Sequence, residues 1–231
     1  MKFEQTLVKA TLIRRYKRFL ADVQLADGTV LTVHCPNSGS MRGCVAEGSQ
    51  VLLSRAENLK RKYTHTWEMV RVGEHWVGIN TARTNHLVRE AFGAGVVGEI
   101  GVVDEIRAEV KVSPHSRLDL LLRQGERLTY VEVKNCSLVE EGVAMFPDAV
   151  TARGTKHLEE LAALRRAGFG AVIFFCVQRG DGDWFAPARH IDPLYAETLA
   201  KVAALGVTVL AYRAEVGPEE LRVVAPLPVR L

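Results

Sequence analysis

Three residues of the 231-residue chain have the types and spacing that phosphoryl chemistry requires: Asp119, Glu132 and Lys134. They lie in two runs, Arg117–Arg123 and Leu128–Cys136, separated by Gln124-Gly125-Glu126-Arg127. Side chains alternate across a strand. Val131 and Val133 therefore face one way, and Tyr130, Glu132 and Lys134 the other. In the first run Leu118, Leu120 and Leu122 oppose Arg117, Asp119 and Leu121. Gly125-Glu126 reads as a two-residue hairpin loop with glycine first, the type II′ preference. Gln124 then pairs with Arg127, which puts Asp119 opposite Glu132 and Arg117 opposite Lys134. Directly opposed residues have Cβ atoms about 4.5–5.5 Å apart, and like charges there repel. A divalent cation between the carboxylates relieves that repulsion, and oxygen ligands with retained waters suit Mg²⁺ or Mn²⁺. Such an ion polarises a phosphoryl group and activates water, while the Lys134 ammonium neutralises developing charge. The plain alternative is an exposed hairpin face whose Asp119–Lys134 and Arg117–Glu132 pairs are surface salt bridges, worth at most ~1 kcal/mol.

Several neighbours could join this group. Thr151-Ala-Arg153-Gly-Thr-Lys156-His157 opens a helix, and Arg153 and His157, four apart, share a face. A helix N-terminus bearing Arg153, Lys156 and His157 suits a phosphate. Asp148 could cap that helix or reach the metal. Glu90, on a shorter helix, is a third candidate metal ligand beside Asp119 and Glu132; the alternative is a solvated helix glutamate. Arg14-Arg15-Tyr16-Lys17-Arg18 and Lys60-Arg61-Lys62-Tyr63 interleave cations with aromatic rings. Cations neutralise phosphates and ring faces stack on bases, although strands with exposed basic side chains would read the same way. His34-Cys-Pro-Asn37-Ser38-Gly39 is a tight polar loop whose Asn37 and Ser38 either meet a phosphate or shape the turn.

The elements that must position these residues divide the chain in two. Phe19–Leu25 and Val30–Cys35 flank Asp27-Gly28, a strong hairpin signal. Gln50–Ser54, Trp67–Val72 and Trp76–Ile79 follow. About five strands with glycine-rich turns suggest a small OB-like β-barrel over residues 1–82. Helical patterning starts at Thr84 and ends at Gly93. Then come strands Glu105–Val112, Arg117–Arg123 and Leu128–Cys136, a polar stretch to Pro147, and a helix over about Thr151–Ala167. Strand Ala171–Val177, helix Asp192–Leu205, strand Val207–Tyr212 and an edge at Val223–Leu231 complete a mixed α/β domain over residues 83–231. The expected class is α+β with two domains.

Composition is that of an ordinary globular chain, 48% hydrophobic and 25% charged. The net charge of +3 is uneven: residues 1–85 hold 13 Lys+Arg against 7 Asp+Glu, and the remainder is net acidic. A basic front half points to an anionic partner docking there. Cys35, Cys44, Cys136 and Cys176 show no C-x-x-C spacing, the N-terminus has no secretory apolar core, and no run approaches ~18 apolar residues. Free thiols, a cytoplasmic location and no membrane contact are expected. A zinc site from His34, Cys35, Cys44 and His65 fits no usual spacing.

The chain resembles the sugar fermentation stimulation family along nearly its whole length. The segments that carry this include Ala10–Val23, His34–Gly39, Lys60–Tyr63, Thr66-Trp-Glu68, Asn80-Thr81, Phe146–Thr151, Arg153-Gly154, Lys156–Leu158, Ala171–Phe175 and Pro187–Asp192. The resemblance implies an OB-like domain followed by one similar to PD-(D/E)xK nucleases, with the family's acid at Asp119 and its Glu-x-Lys at Glu132 and Lys134. Leu118 stands where the nuclease motif often has proline. The family is linked to DNA binding and to regulation of sugar-utilisation (maltose) genes, so DNA is the expected partner, with a second copy of the chain left open. A non-catalytic DNA-binding module is the first rival to a metal-dependent DNA endonuclease. The second is a nucleotide-binding enzyme, because Gly93-Ala-Gly95-Val-Val-Gly98 matches G-x-G-x-x-G. That fingerprint needs a strand before it and a helix after it, and the sequence offers the reverse. No small-molecule cofactor is expected.

Overall fold

The computed structural model describes residues 1–58, 60–113 and 116–231. Its first half is built from β1 (Val8–Tyr16), β2 (Leu20–Leu25), β3 (Val30–His34), β4 (Gln50–Arg55), β5 (His65–Val72) and β6 (His75–Gly78). The sheet runs β3-β2-β1-β4-β5-β6, and a parallel β3–β5 pairing at His34 and Thr66 closes the first five strands into a barrel. This is the OB arrangement, with its edges removed by closure. Two features differ from the sequence reading. The barrel closes through β1, whose run of Arg14, Arg15 and Lys17 hides the alternation of buried Ala10 and Leu12 with exposed Thr11. The strand around Trp76 is an extension beside β5, outside the closed ring.

The second half starts with α1 (Thr81–Gly93), capped by Asn80, whose side chain accepts the Ala82 N–H. Then follow β7 (Glu105–Ser113), β8 (Ser116–Gln124), β9 (Arg127–Cys136), β10 (Leu138–Glu140), β11 (Val143–Phe146), α2 (Ala152–Arg166), β12 (Gly170–Val177), β13 (Trp184–Pro187), α3 (Pro193–Ala204), β14 (Thr208–Val216) and β15 (Leu221–Pro226). The main sheet has the order β15-β14-β12-β9-β8-β7, with β12 parallel to both β9 and β14. β12 is apolar throughout and almost wholly buried, as a central strand covered on both faces must be. One core layer, including Leu87, Phe92, Leu120, Val131 and Phe174, lies under α1. The other, including Leu158, Leu161, Phe175, Tyr195 and Leu199, lies under α2 and α3. A small sheet, β10-β11-β13, occupies the stretch read from sequence as a polar connection and the segment after β12. Its strands of 3–4 residues are too short to show a period.

Backbone and side-chain hydrogen bonds stitch the halves together. The Gly78 N–H donates to the Gln178 carbonyl at 2.9 Å, and Gln178 Nε2 reaches Thr84 and Asn135. A Cβ at Gly78 would collide with the Gln178 side chain, so only glycine lets the two backbones meet here. Further along, Asp148 Oδ2 accepts the Met41 N–H at 2.8 Å, and Ser40 Oγ donates to the Asp148 carbonyl. No helix among the described residues is long and apolar enough to cross a membrane.

Candidate active site

The hairpin β8–β9 has the register that its turn dictates: Gln124 pairs with Arg127, and the ladder climbs to Leu120 opposite Val131. Gly125 takes a φ of 58°, as the first position of a II′ turn requires. Above Leu120 the backbone ladder stops, and Asp119 intervenes with its side chain. Its Oδ2 accepts the Val133 N–H at 2.8 Å, and Glu109 across on β7 sits in the left-handed region at φ 54°. Leu118 packs with Cys136 and Leu158 under α2, while Leu120 and Leu122 pack under α1, so the three leucines do not share the single face expected of them.

Glu132 is 3% exposed. Its Oε1 receives Lys134 Nζ at 2.6 Å and a short contact from His157 Nδ1, while Oε2 is sealed from solvent with no partner among the described residues. Asn85, from α1, donates to Asp119 Oδ1 at 2.7 Å. Burial, and then the charge of Glu132, push the Asp119 carboxyl up to about 6. Burial would raise Glu132 too, but the His157 hydrogen bond and the Lys134 ammonium outweigh it and hold that carboxyl below its ordinary range. Asp119 is thus the acid that takes a proton first as pH falls.

Not every anticipated residue comes here. Glu90 turns away: its carboxylate pairs with the Met1 ammonium at 2.8 Å, and five residues along α1 set it roughly 140° round the helix from Asn85. The α1 residue that reaches the acids is Asn85, a short amide that the sequence reading did not single out. His157 is buried against Glu132, and with Arg117, Asp119 and the exposed Arg153 and Lys156 it lines a cleft of about 540 Å³. Thr151 caps α2 by accepting the Gly154 N–H, so Asp148 does not cap it; Asp148 latches the barrel loop instead. The chain after α1 turns through Gly95 and reaches β7 with no helix, so Gly93–Gly98 lacks the context of a dinucleotide fingerprint. Cys35 and Cys44 are buried thiols of the barrel core, and burial pushes Cys44 up to about 11.

On the barrel, Arg14 pairs with Asp22 at 2.9 Å and lies over Tyr16. Arg15 is an internal clasp, donating to the carbonyls of Arg18, Asn37, Gly39 and Ser40. Lys17, Arg18 and Ser38 are exposed, and buried Asn37 shapes the loop by accepting the Gly39 N–H. Arg18, Asn37 and Ser38 line a cleft of about 550 Å³ that includes Lys134 and Asn85. Lys60, Arg61 and Lys62 are exposed elsewhere: Arg61 lines a different cleft, with His34 and Arg83.

Comparison with known proteins follows the same division. A family described as "SfsA N-terminal OB domain" matches residues 13–79, and one described as "Sugar fermentation stimulation protein RE domain" matches residues 82–220. A sugar fermentation stimulation protein homolog of Citrifermentans bemidjiense is 54% identical over 231 residues, covering 100% of both chains. One from Thioalkalivibrio sulfidiphilus is 54% identical over 220 residues, covering 94% of this chain and 93% of that one. A solved structure, that of Pyrococcus furiosus SfsA in complex with Ca²⁺, superposes with a TM-score of 0.90 at 23% identity, covering 100% of this chain and 98% of that one. At that identity it shows the shared fold.

Proposed function

Since the chain belongs to the sugar fermentation stimulation protein family, we propose that it binds DNA and hydrolyses phosphodiesters with a divalent ion at Asp119 and Glu132. The observation that carries this reading is the unpartnered, buried Glu132 Oε2 in the neighbourhood of a second carboxylate that is itself hard to ionise. A buried Glu132 carboxylate that raises its neighbour's cost of ionisation, and that keeps one oxygen unpartnered, fits a hard dication with oxygen ligands. The Ca²⁺ complex of the Pyrococcus furiosus protein lends support by analogy.

Mg²⁺ or Mn²⁺ would be held by Asp119 and Glu132 with waters, and would supply Lewis-acid polarisation and an activated water. The remaining roles belong to the protein. Asn85 and the Val133 N–H fix the Asp119 carboxylate, and His157 fixes Glu132. Lys134, 14% exposed, presents a cation beside the acids where charge develops on the transferring phosphoryl oxygens. Arg153 and Lys156 hold flanking phosphates in their cleft, and Arg18, with exposed Lys17 beside it, does so from the barrel side.

The test is metal titration followed by calorimetry and by DNA cleavage, in wild type and Glu132→Gln. Wild type should give binding heat and Mg²⁺- or Mn²⁺-dependent nicking, both lost in the variant. Lys134→Ala should keep metal binding while cleavage falls roughly 10²–10³-fold, the size of effect seen when one oriented charge-stabilising group is removed. Wild type that neither binds metal nor nicks DNA would end the enzymatic reading. The logarithm of DNA affinity should fall linearly with the logarithm of salt, with a slope of roughly 0.9 per phosphate contacted; a flat response would exclude the basic surfaces as the docking site.

One observation favours the rival, a non-catalytic DNA-binding regulator of sugar-utilisation genes. Glu132 Oε1 is already satisfied by Lys134 and His157, and the described residues hold no group of three or more His, Cys, Asp or Glu placed to ligate one ion. Tight DNA binding unaffected by metal or by Glu132→Gln would select it.

A further inference from the structure

We propose that the cleft between the barrel loop and Lys134 receives one unpaired nucleobase, so that the preferred strand is single-stranded or locally unstacked; this rests on the nucleic-acid reading above. The two clefts flanking the acids differ in chemistry. The one beyond Asp119 carries Lys111, Arg117, Arg153 and Lys156 and suits phosphates. The other, at about 550 Å³, is within the range of roughly 300–1,000 Å³ for small-ligand pockets and is lined chiefly by amides, hydroxyls and apolar groups.

Its amides are half used. Asn37 spends Oδ1 on the Gly39 N–H, and Asn135 spends Oδ1 on Gln178, so each keeps its NH₂; Asn85 spends its NH₂ on Asp119 and keeps Oδ1. Two carboxamide donors and one acceptor in one cleft match the mixed donor–acceptor edge of a base, which a phosphate does not present. Phe146 and exposed Val150 supply apolar wall for a base face, and the Phe146 ring is braced edge-on by Tyr195.

The rim points the same way. Lys17 and Arg18, successive non-glycine residues, adopt φ values of 49° and 63° at the β1–β2 turn, where Asn-Gly would sit without strain. Arg15 holds this turn through the Arg18 carbonyl at 2.9 Å. The strained turn carries two exposed cations and then Phe19, 54% exposed, and its Arg18 lines the cleft. Strain retained at such a site implies that these side chains do something glycine cannot. A cation pair followed by an open ring is the composition that tracks a single strand, charge on the backbone and ring on a base.

The experiment measures binding by fluorescence anisotropy in EDTA at fixed salt. It uses one oligonucleotide as a single strand, as a duplex, and as a single strand with its central bases removed. The single strand should bind roughly ten-fold tighter than either other form, given stacking and edge contacts at one or two bases. Arg18→Gly, which relieves the backbone, and Asn37→Ala should each cut that preference to about three-fold or less, with thermal midpoints checked first. Equal or tighter duplex binding, or an unchanged preference in both variants, overturns the proposal. Absence of binding to any form at low salt overturns the nucleic-acid reading and this proposal with it.

Discussion

Asp119→Asn should be more heat-stable than wild type without metal at pH 8, yet gain nothing from added Mg²⁺ or Mn²⁺. The sign follows from linkage. In the folded protein Asp119 ionises at about 6, above its ordinary value of 3.8, because burial and Glu132 oppose its charge. The fold therefore binds this proton more tightly than the unfolded chain does. The stability it contributes is fully present below about pH 4 and is lost as pH rises through about 6. Asparagine keeps an acceptor for the Val133 N–H, Asn85 can turn its amide so that Oδ1 accepts from the new NH₂, and the group never ionises, so that loss is removed. Two pKa units correspond to about 3 kcal/mol at most; with partial exposure and solvent screening, about 1–2 kcal/mol is expected, a few degrees in Tm. Wild type should recover more than this when metal is added, since a ligand at a hundred times its Kd contributes about 2.7 kcal/mol. Differential scanning calorimetry at pH 5 and pH 8, with and without Mn²⁺, tests all three points. A variant less stable than wild type at pH 8 without metal would contradict the assigned electrostatics. Equal metal-induced stabilisation in both proteins would remove Asp119 from the ligand set.

The second large effect lies away from the acids. Glu68, 2% exposed on β5, accepts from Ser54 Oγ at 2.6 Å, Asn80 Nδ2 at 2.8 Å, and Arg83 Nε and Nη2 at 2.7 and 3.0 Å. It ties a barrel strand to the N-cap and first turn of α1, the helix that carries Asn85. Glu68→Ala leaves the buried Asn80 and Ser54 without their acceptor and frees Arg83. Breaking a buried pair from one side costs about 3–5 kcal/mol, enough to shift a urea midpoint by more than 1 M on an m-value of about 2–3 kcal/mol per molar. Glu68→Gln should fall between, because its amide turns an NH₂ towards existing donors. A change under about 1 kcal/mol in Glu68→Ala would show the network to be water-accessible and inexpensive.

What could be read from sequence follows from range. The β8–β9 register came from Gly125-Glu126 and from alternation over a few residues, all local information, and the fold class followed from the succession of strands and helices. What resisted reading depends on how elements dock. Asn85 reaches Asp119 because the Glu68 network and the buried face of α1, Leu87 and Phe92 included, set its rotation against the sheet. His157 shares a helical face with Arg153, and periodicity cannot say that one points inward at Glu132 while the other stays in water. Arg15 reads as a phosphate ligand in any basic run, yet it is consumed by backbone carbonyls of a loop more than twenty residues away. Side-chain charge alone gives no hint of that.

The chain does not build its barrel first and its sheet second. Lys2 bridges to Glu220, and the Phe3 N–H donates to the Glu219 carbonyl at 3.0 Å, so the polypeptide touches the β14–β15 turn, leaves to form the barrel, and returns at α1. Topologically the barrel is a guest domain spliced into a host, moored at both of its ends. A guest with two moorings cannot pivot freely on one hinge, so the angle between the barrel rim and the acid-bearing hairpin is set by the architecture before any ligand arrives.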